Sequence, residues 1–280
     1  MDLYKILQDE SKCFLISGPC VIEDEEIMMK TAEKLTIETQ KRNIHFIFKS
    51  SFQKANRTSI NSFTGPGLDD GLRILDKIRN RFGIHILTDV HETNQVDQVA
   101  DVADVIQIPA FLCRQTDLIT KAASTKKIVN IKKGQFMAPE DMKSAAEKIT
   151  SRNNFNIMIT ERGSCFGYHN LIVDFRSFPI LKSIGYPVVY DVTHSLQRPS
   201  IQKITGGNPE YGEMMAKSAL ATGYVDGLFI ETHPRPLEAL SDGMSMIPLP
   251  QMSDLLDSCM SIVEAIERVT IEETEFSRFE

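Results

Sequence analysis

Residues 44–49, IHFIFK, and residues 84–89, IHILTD, each run apolar and β-rich into a terminal charge, Lys49 in one and Asp89 in the other. The pattern recurs along the chain. Lys132 closes IVNIK, Glu161 and Arg162 close NIMITER, His194 follows PVVYDVTH, and Glu231 closes DGLFIE. Repeated apolar strands with polar ends predict a ring of strands whose C-terminal ends share one site, which is an enzyme's arrangement.

Working outward from these runs, strands are expected at 13–17, 44–49, 84–89, 105–109, 128–132, 156–161, 187–191 and 225–231. Helical spacing of apolar positions places helices at 25–41, 68–82, 94–102, 116–124, 173–183 and 210–222, with a last one from 252 to about 269. A further helix is expected to begin at Pro139, where proline suits a first turn. The beat of strand and helix predicts an α/β chain folded as a TIM (β/α)8 barrel, a single domain over residues 1–280, with an open doubly wound sheet as the alternative. One connection, SSFQKANRTSINSFTGPG at 50–67, is too long for a routine link and is a candidate substrate loop. Its Gly65-Pro66-Gly67 and the later TGGNPEYG (205–212) are candidates for phosphate-facing turns, although neither is a Walker or Rossmann glycine pattern.

With 280 residues, 42% hydrophobic and 25% charged, the chain is long enough to bury a large core. A formal net charge of -7 argues against a general nucleic-acid backbone binder but leaves room for a local cationic pocket. The first residues carry charges before and inside a short apolar run, so they read as neither a secretory leader nor an anchor, and no later run has membrane-spanning length. Five cysteines are an odd, sparse set, unlike a disulfide framework, and a reducing cytoplasm is the expected compartment.

Two constellations carry chemistry. Cys20, His194, Glu231 and Asp242 lie far apart in sequence, yet each follows an expected strand, so they are candidate ligands for one divalent metal. Thiolate and imidazole favour Zn or Fe, the carboxylates extend the choice to Mn, and no short metal motif narrows it. Lys49, Lys54, Arg57, Lys132 and Arg162 form the second set, suited to the phosphate and carboxylate groups of a doubly anionic substrate. The plainer readings are scattered structural residues for the first set, and solvated lysines or salt bridges to Asp89, Asp191 and Glu161 for the second. Asp89 and His91 suit hydroxyl orientation, proton transfer or a helix cap, and the amides of Asn56 and Gln107 suit sugar hydroxyls.

At GPCVIE, FKSSFQKANRTS, GPGLDDGL, TDVHE, QIPAFLCRQTDL, NIKKGQFMAP, TERGSCFGYHN, DVTHSLQ and FIETHP the chain resembles the KDO8P synthase (3-deoxy-D-manno-octulosonate 8-phosphate synthase) family, over nearly its whole length. The resemblance implies a cytoplasmic TIM-barrel transferase, usually a homotetramer, that condenses phosphoenolpyruvate with arabinose 5-phosphate for lipopolysaccharide biosynthesis. It also implies roles. Lys54, Lys132 and Arg162 would clamp phosphoenolpyruvate, with Lys49 and Gln107 lining the same region. Asn56 and Arg57 would contact arabinose 5-phosphate, and Arg114 would reach a neighbouring subunit's site. Lys132 would moderate charge or move a proton, and Asp89 would hold sugar hydroxyls or a water network. Family members with cysteine after the first strand depend on metal, whereas those with asparagine there do not. Cys20 resembles the former, and His194, Glu231 and Asp242 complete the set for one divalent ion per subunit. The relative that uses erythrose 4-phosphate carries KPR where this chain has KANR, which argues against that substrate. A Schiff-base aldolase and a noncatalytic metabolite-binding barrel are the other readings weighed.

Overall fold

A computed structural model of the protein describes residues 2–9, 12–56, 61–165, 169–198 and 206–266. Among them, eight parallel strands close into a barrel: β1 (Phe14–Gly18), β2 (His45–Lys49), β3 (His85–Asp89), β4 (Val105–Ile108), β5 (Ile128–Lys132), β6 (Ile157–Glu161), β7 (Val188–Asp191) and β8 (Gly227–His233). Each pairs with the next, and β8 pairs back onto β1 from Phe14↔Gly227 to Gly18↔Glu231, which excludes the open sheet. Ile247–Pro248 adds a short parallel extension to β8.

The helices form the outer layer: α1 (Glu25–Lys41), α2 (Leu68–Phe82), α3 (Val96–Val102), α4 (Thr116–Ser124), α5 (Met142–Thr150), α6 (Ser177–Lys182), α7 (Gly212–Leu220) and α8 (Met252–Ala265). Local chemistry fixes their ends. The Asp24 side chain caps α1 by accepting from Ile27 N at 2.8 Å, with Glu25 and Glu26 in the first turn where the helix dipole favours them. Gly83 ends α2 in the left-handed conformation, φ 63°, which glycine adopts without a Cβ penalty.

Several helices depart from the expected bounds: α3 and α7 lose up to two residues at an end, α8 stops at Ala265 where Ile266 turns extended, and two others change more. Pro139 does not start α5; it lies in the turns before Met142, because the chain after β5 first folds back through Gly134 and Met137. The helix expected at 173–183 shortens to Ser177–Lys182, since Leu171–Ile172 pairs with Ser164–Cys165 and the Asp174 carboxylate holds Arg176 N at 3.0 Å. The glycine turns also differ from expectation. Gly65 packs so closely on the Phe52 carbonyl that a Cβ would lie 2.3 Å from it, and Gly206–Gly207 pairs with Gln197–Arg198. Among the described residues, neither turn lines the cavity at the barrel mouth.

Side-chain alternation along the strands determines what faces inward. Phe14, Ile16, Ile47, Leu87, Val105, Ile128, Met158, Val189 and Phe229 fill the barrel as one apolar cluster, closed from the N-terminal end by Tyr4 and Leu7 of a short helix, Leu3–Leu7. The Tyr4 hydroxyl donates to Ile157 O at 3.0 Å, which seats that plug. A larger cluster lies between strands and helices. Moving two residues up each strand keeps the inward direction and reaches Lys49, Asp89, Gln107, Asn130, Thr160, Asp191 and Glu231; two more reach Lys132 and Arg162. The barrel is therefore apolar below and charged at its C-terminal mouth. Leu7 is buried in the plug, so Leu7→Ala should destabilise the fold by about 2–5 kcal/mol, read as a lower urea midpoint.

Candidate active site at the barrel mouth

The mouth opens into a cavity of about 580 Å³ lined by Asp89 and by members of both constellations: Lys49, Lys54, Lys132 and Arg162 of the cationic set, and His194 and Asp242 of the candidate metal set. The buried Phe229 ring lies within reach of two of the lining cations, with Lys132 Nζ 3.8 Å and Lys49 Nζ 5.5 Å from the centroid. Both ammonium groups gain from the ring's negative face while burial strips them of water.

One end of the site gathers cation ligands. Ligand atoms of Cys20, Glu231 and Asp242 all lie within 4.8 Å of one another. Cys20 Sγ is 3.0 Å from Ser241 Oγ and 3.4 Å from Asp242 Oδ2. Burial, then the carboxylates of Asp242 and Glu231, push its thiol well above the usual range. Glu231 shares its carboxylate unequally: Oε1 accepts from Lys49 Nζ at 2.8 Å, while the buried Oε2 has no hydrogen-bond partner among the described residues. Burial alone would raise the Glu231 pKa, yet His194, Lys49, Lys54 and Lys132 together bring it down to about 2.

His194 stands beside this group with Nε2 3.5 Å from Glu231 Oε2. Its Nδ1 lies 2.8 Å from Asp191 Oδ2, and Asp191 is held far below the ordinary carboxylate range, against its burial, by His194 and Lys132. An ionised carboxylate only accepts, so Nδ1 carries the proton and the Nε2 lone pair faces the Glu231 oxygen. Burial holds His194 itself below its usual pKa despite Asp191 and Glu231. Two acceptors facing each other beside a thiol, with a carboxylate behind the imidazole, fit a divalent cation.

The other end gathers cationic side chains. Arg162 Nη2 donates to Gln197 Oε1 at 3.0 Å, and its buried Nη1 has no hydrogen-bond partner among the described residues. Burial lowers the Arg162 pKa, opposed by Asp191, Asp242, Glu161 and Glu231. Lys132 Nζ forms a short ion pair with Asp191 Oδ2 and lies 3.4 Å from His194 Nδ1. Burial lowers its pKa and Asp191 opposes that. Lys54 is half-buried; burial opposes its charge, but Cys20, Glu231, Asp89 and Asp242 more than offset it and raise its pKa. The cations thus meet carboxylates, as the salt-bridge reading allowed, although the partners include Glu231.

Asp89 Oδ1 accepts from Ser51 Oγ at 2.5 Å, and Oδ2 lies 3.1 Å from His91 Nε2. Burial would raise its pKa, but His91, Lys49 and Lys54 hold it well below the usual carboxylate range. This pair binds side chain to side chain instead of capping a helix. Gln107 lines the cavity and its Oε1 accepts from Asn130 Nδ2 at 3.2 Å, while Asn56 is exposed on the cavity wall. Arg57 lies outside the described residues. Arg114 is exposed and is not part of this cavity; its carbonyl accepts from Lys148 Nζ at 2.8 Å. Sequence reasoning missed two site residues. Asp191 ends PVVYD and obeys the strand-end rule, which marks it as more than a salt-bridge partner; Gln197 is signalled only as the last residue of the DVTHSLQ motif, with no role attached.

The family model described as "DAHP synthetase I family" matches residues 5–267. A 2-dehydro-3-deoxyphosphooctonate aldolase of Trichlorobacter lovleyi is 54% identical over 243 residues, which covers 86% of this chain and 89% of that protein. Proteins of the same description from Geobacter sp. (strain M21) and Stenotrophomonas maltophilia are 51% identical over 249 residues and 52% identical over 250. Each alignment spans 89% of this chain and at least 90% of the relative. With a closed barrel, a charged mouth and matches of this extent, the chain belongs to the DAHP synthetase I family and, within it, to the 2-dehydro-3-deoxyphosphooctonate aldolases, the KDO8P synthases.

Proposed function

We propose that the whole chain, 1–280, acts as one catalytic domain that condenses phosphoenolpyruvate with D-arabinose 5-phosphate and water. The products are 3-deoxy-D-manno-octulosonate 8-phosphate, a precursor for lipopolysaccharide, and inorganic phosphate. The observation that carries this reading is the pairing of two buried, unpartnered atoms in one mouth: Glu231 Oε2, a ligand waiting for a cation, and Arg162 Nη1, a donor waiting for an anion.

In this reading Arg162, Lys132 and Lys54 hold the phosphate and carboxylate of phosphoenolpyruvate, with Lys49 and Gln107 behind them. Asn56 and Arg57 hold the sugar phosphate, and Arg114 serves a neighbouring subunit of a homotetramer. Asp89, kept ionised and aimed by Ser51 and His91, accepts hydrogen bonds from sugar hydroxyls. The enol carbon C3 attacks the aldehyde carbon; the new alkoxide takes a proton, and water adds to C2 as positive character develops there. The hemiketal phosphate then breaks its C–O bond, releasing phosphate and leaving the ketone. Lys132, buried between Asp191 and His194, is the group placed to hold or pass a proton during these transfers. Cys20, His194, Glu231 and Asp242 would hold one divalent ion, Zn, Fe or Mn. When bound, that ion supplies positive charge that orients and polarises the aldehyde. Abundant phosphorylated metabolites place the reaction in the cytoplasm, and no helix among the described residues is long and apolar enough to cross a membrane.

Phosphate release from phosphoenolpyruvate should require arabinose 5-phosphate, fall away after chelation and return with a divalent ion. Faster turnover with erythrose 4-phosphate would overturn the substrate, and full turnover of metal-free protein would remove the metal from the reaction. Because burial and two carboxylates keep the Cys20 thiol protonated at neutral pH, Cd²⁺ binding to the chelated protein should release about one proton and produce a thiolate-to-metal absorption band. Cys20→Ser should lose both signals; a band of unchanged strength in that variant would move the site elsewhere.

A further inference from the structure

A single side-chain amide joins the two ends of the site. Arg162 Nη2 donates to Gln197 Oε1 at 3.0 Å, and Gln197 Nε2 donates to Asp242 Oδ2 at 3.2 Å. Guanidinium only donates and an ionised carboxylate only accepts, so the amide can satisfy both partners in one orientation alone. Gln197 is buried, which makes either contact costly to lose.

The backbone around the bridge is pressed into place. Gln197 pairs with Gly207, and a Cβ on Gly207 would lie 2.6 Å from Met244 O and 2.8 Å from Ser245 Cβ. The ribbon that carries Gln197 therefore abuts the loop that carries Asp242, with room for no side chain between them. Asp242 itself sits at φ 49°, a left-handed conformation that a non-glycine residue keeps only where its surroundings hold it.

We infer that Gln197 is a positioning residue that couples anion binding at Arg162 to cation binding at Asp242. The inference rests on the roles of those two residues in the proposed function. An anion on Arg162 fixes the guanidinium, the guanidinium fixes the amide, and the amide orients the Asp242 carboxylate before the cation arrives. Ordering done by the first ligand is spared the second, and such coupling is reciprocal.

The test is Cd²⁺ titration of the chelated full-length chain, followed by thiolate-to-metal absorbance, with and without phosphoenolpyruvate. In the wild type, phosphoenolpyruvate should tighten Cd²⁺ by about 5–150-fold. Gln197→Met, similar in volume but without the amide, should weaken Cd²⁺ by about 10–100-fold and remove most of the tightening. Gln197→Asn keeps an amide too short to span both partners and should behave alike; it serves if the Met variant fails to fold. If the wild type binds Cd²⁺ and phosphoenolpyruvate and a folded variant keeps the full tightening, the coupling role is overturned while the proposed function stands. If the wild type binds neither ligand, both fall together.

Discussion

Glu231 sets the terms for the whole mouth of the barrel. A carboxylate buried to this depth survives as an anion only where positive charge meets it, and Lys49 meets only one of its oxygens. Lys49 is itself buried on the Phe229 ring, and that ring also carries Lys132, which in turn needs Asp191. Asp191 then fixes the proton on His194 Nδ1 and turns Nε2 toward the bare oxygen of Glu231. From one half-satisfied carboxylate, the identity and orientation of its neighbours follow.

Such a layer contributes little to stability. Buried ion pairs seldom outperform well-packed apolar side chains of the same volume, because desolvation consumes most of their attraction. The apolar layers below, from Phe14 to Phe229, and the plug of Tyr4 and Leu7 provide burial without any such cost. The strand period separates the two regions along the barrel axis. A shift of one residue in any strand would send its charge outward into the helix layer and bring an apolar side chain to the mouth.

The fold was legible because strand endings repeat: Lys49, Asp89, Lys132 and Glu231 each closed an apolar run; the first three end their strands in the closed barrel, and β8 runs two residues past Glu231 to His233. Helix α1 and helix α2 were legible to the residue, since Asp24 and Gly83 mark ends by local chemistry. What escaped was set by contacts between distant segments. Pro139 looks like a helix start, yet the backward fold after β5 moves the start to Met142. Gln197 is an ordinary glutamine until the loop bearing Asp242 arrives 3.2 Å away. The resemblance supplied the joint membership of Cys20, His194, Glu231 and Asp242; spacing alone left them scattered.

The placement of the ligands also explains how one small cavity can accept ions of both signs. Lys49, Lys54, Lys132 and Arg162 stand against Asp89, Asp191, Glu231 and Asp242, so the site is close to neutral before anything binds. A multiply charged anion alone would leave the carboxylates repelling it, and a divalent cation alone would face the lysines. Bound together they restore the balance, each screening for the other the charges that oppose it. A mouth with this charge symmetry favours paired ligands of opposite sign, because neither an anion nor a cation is stabilised fully there until its counterpart is in place.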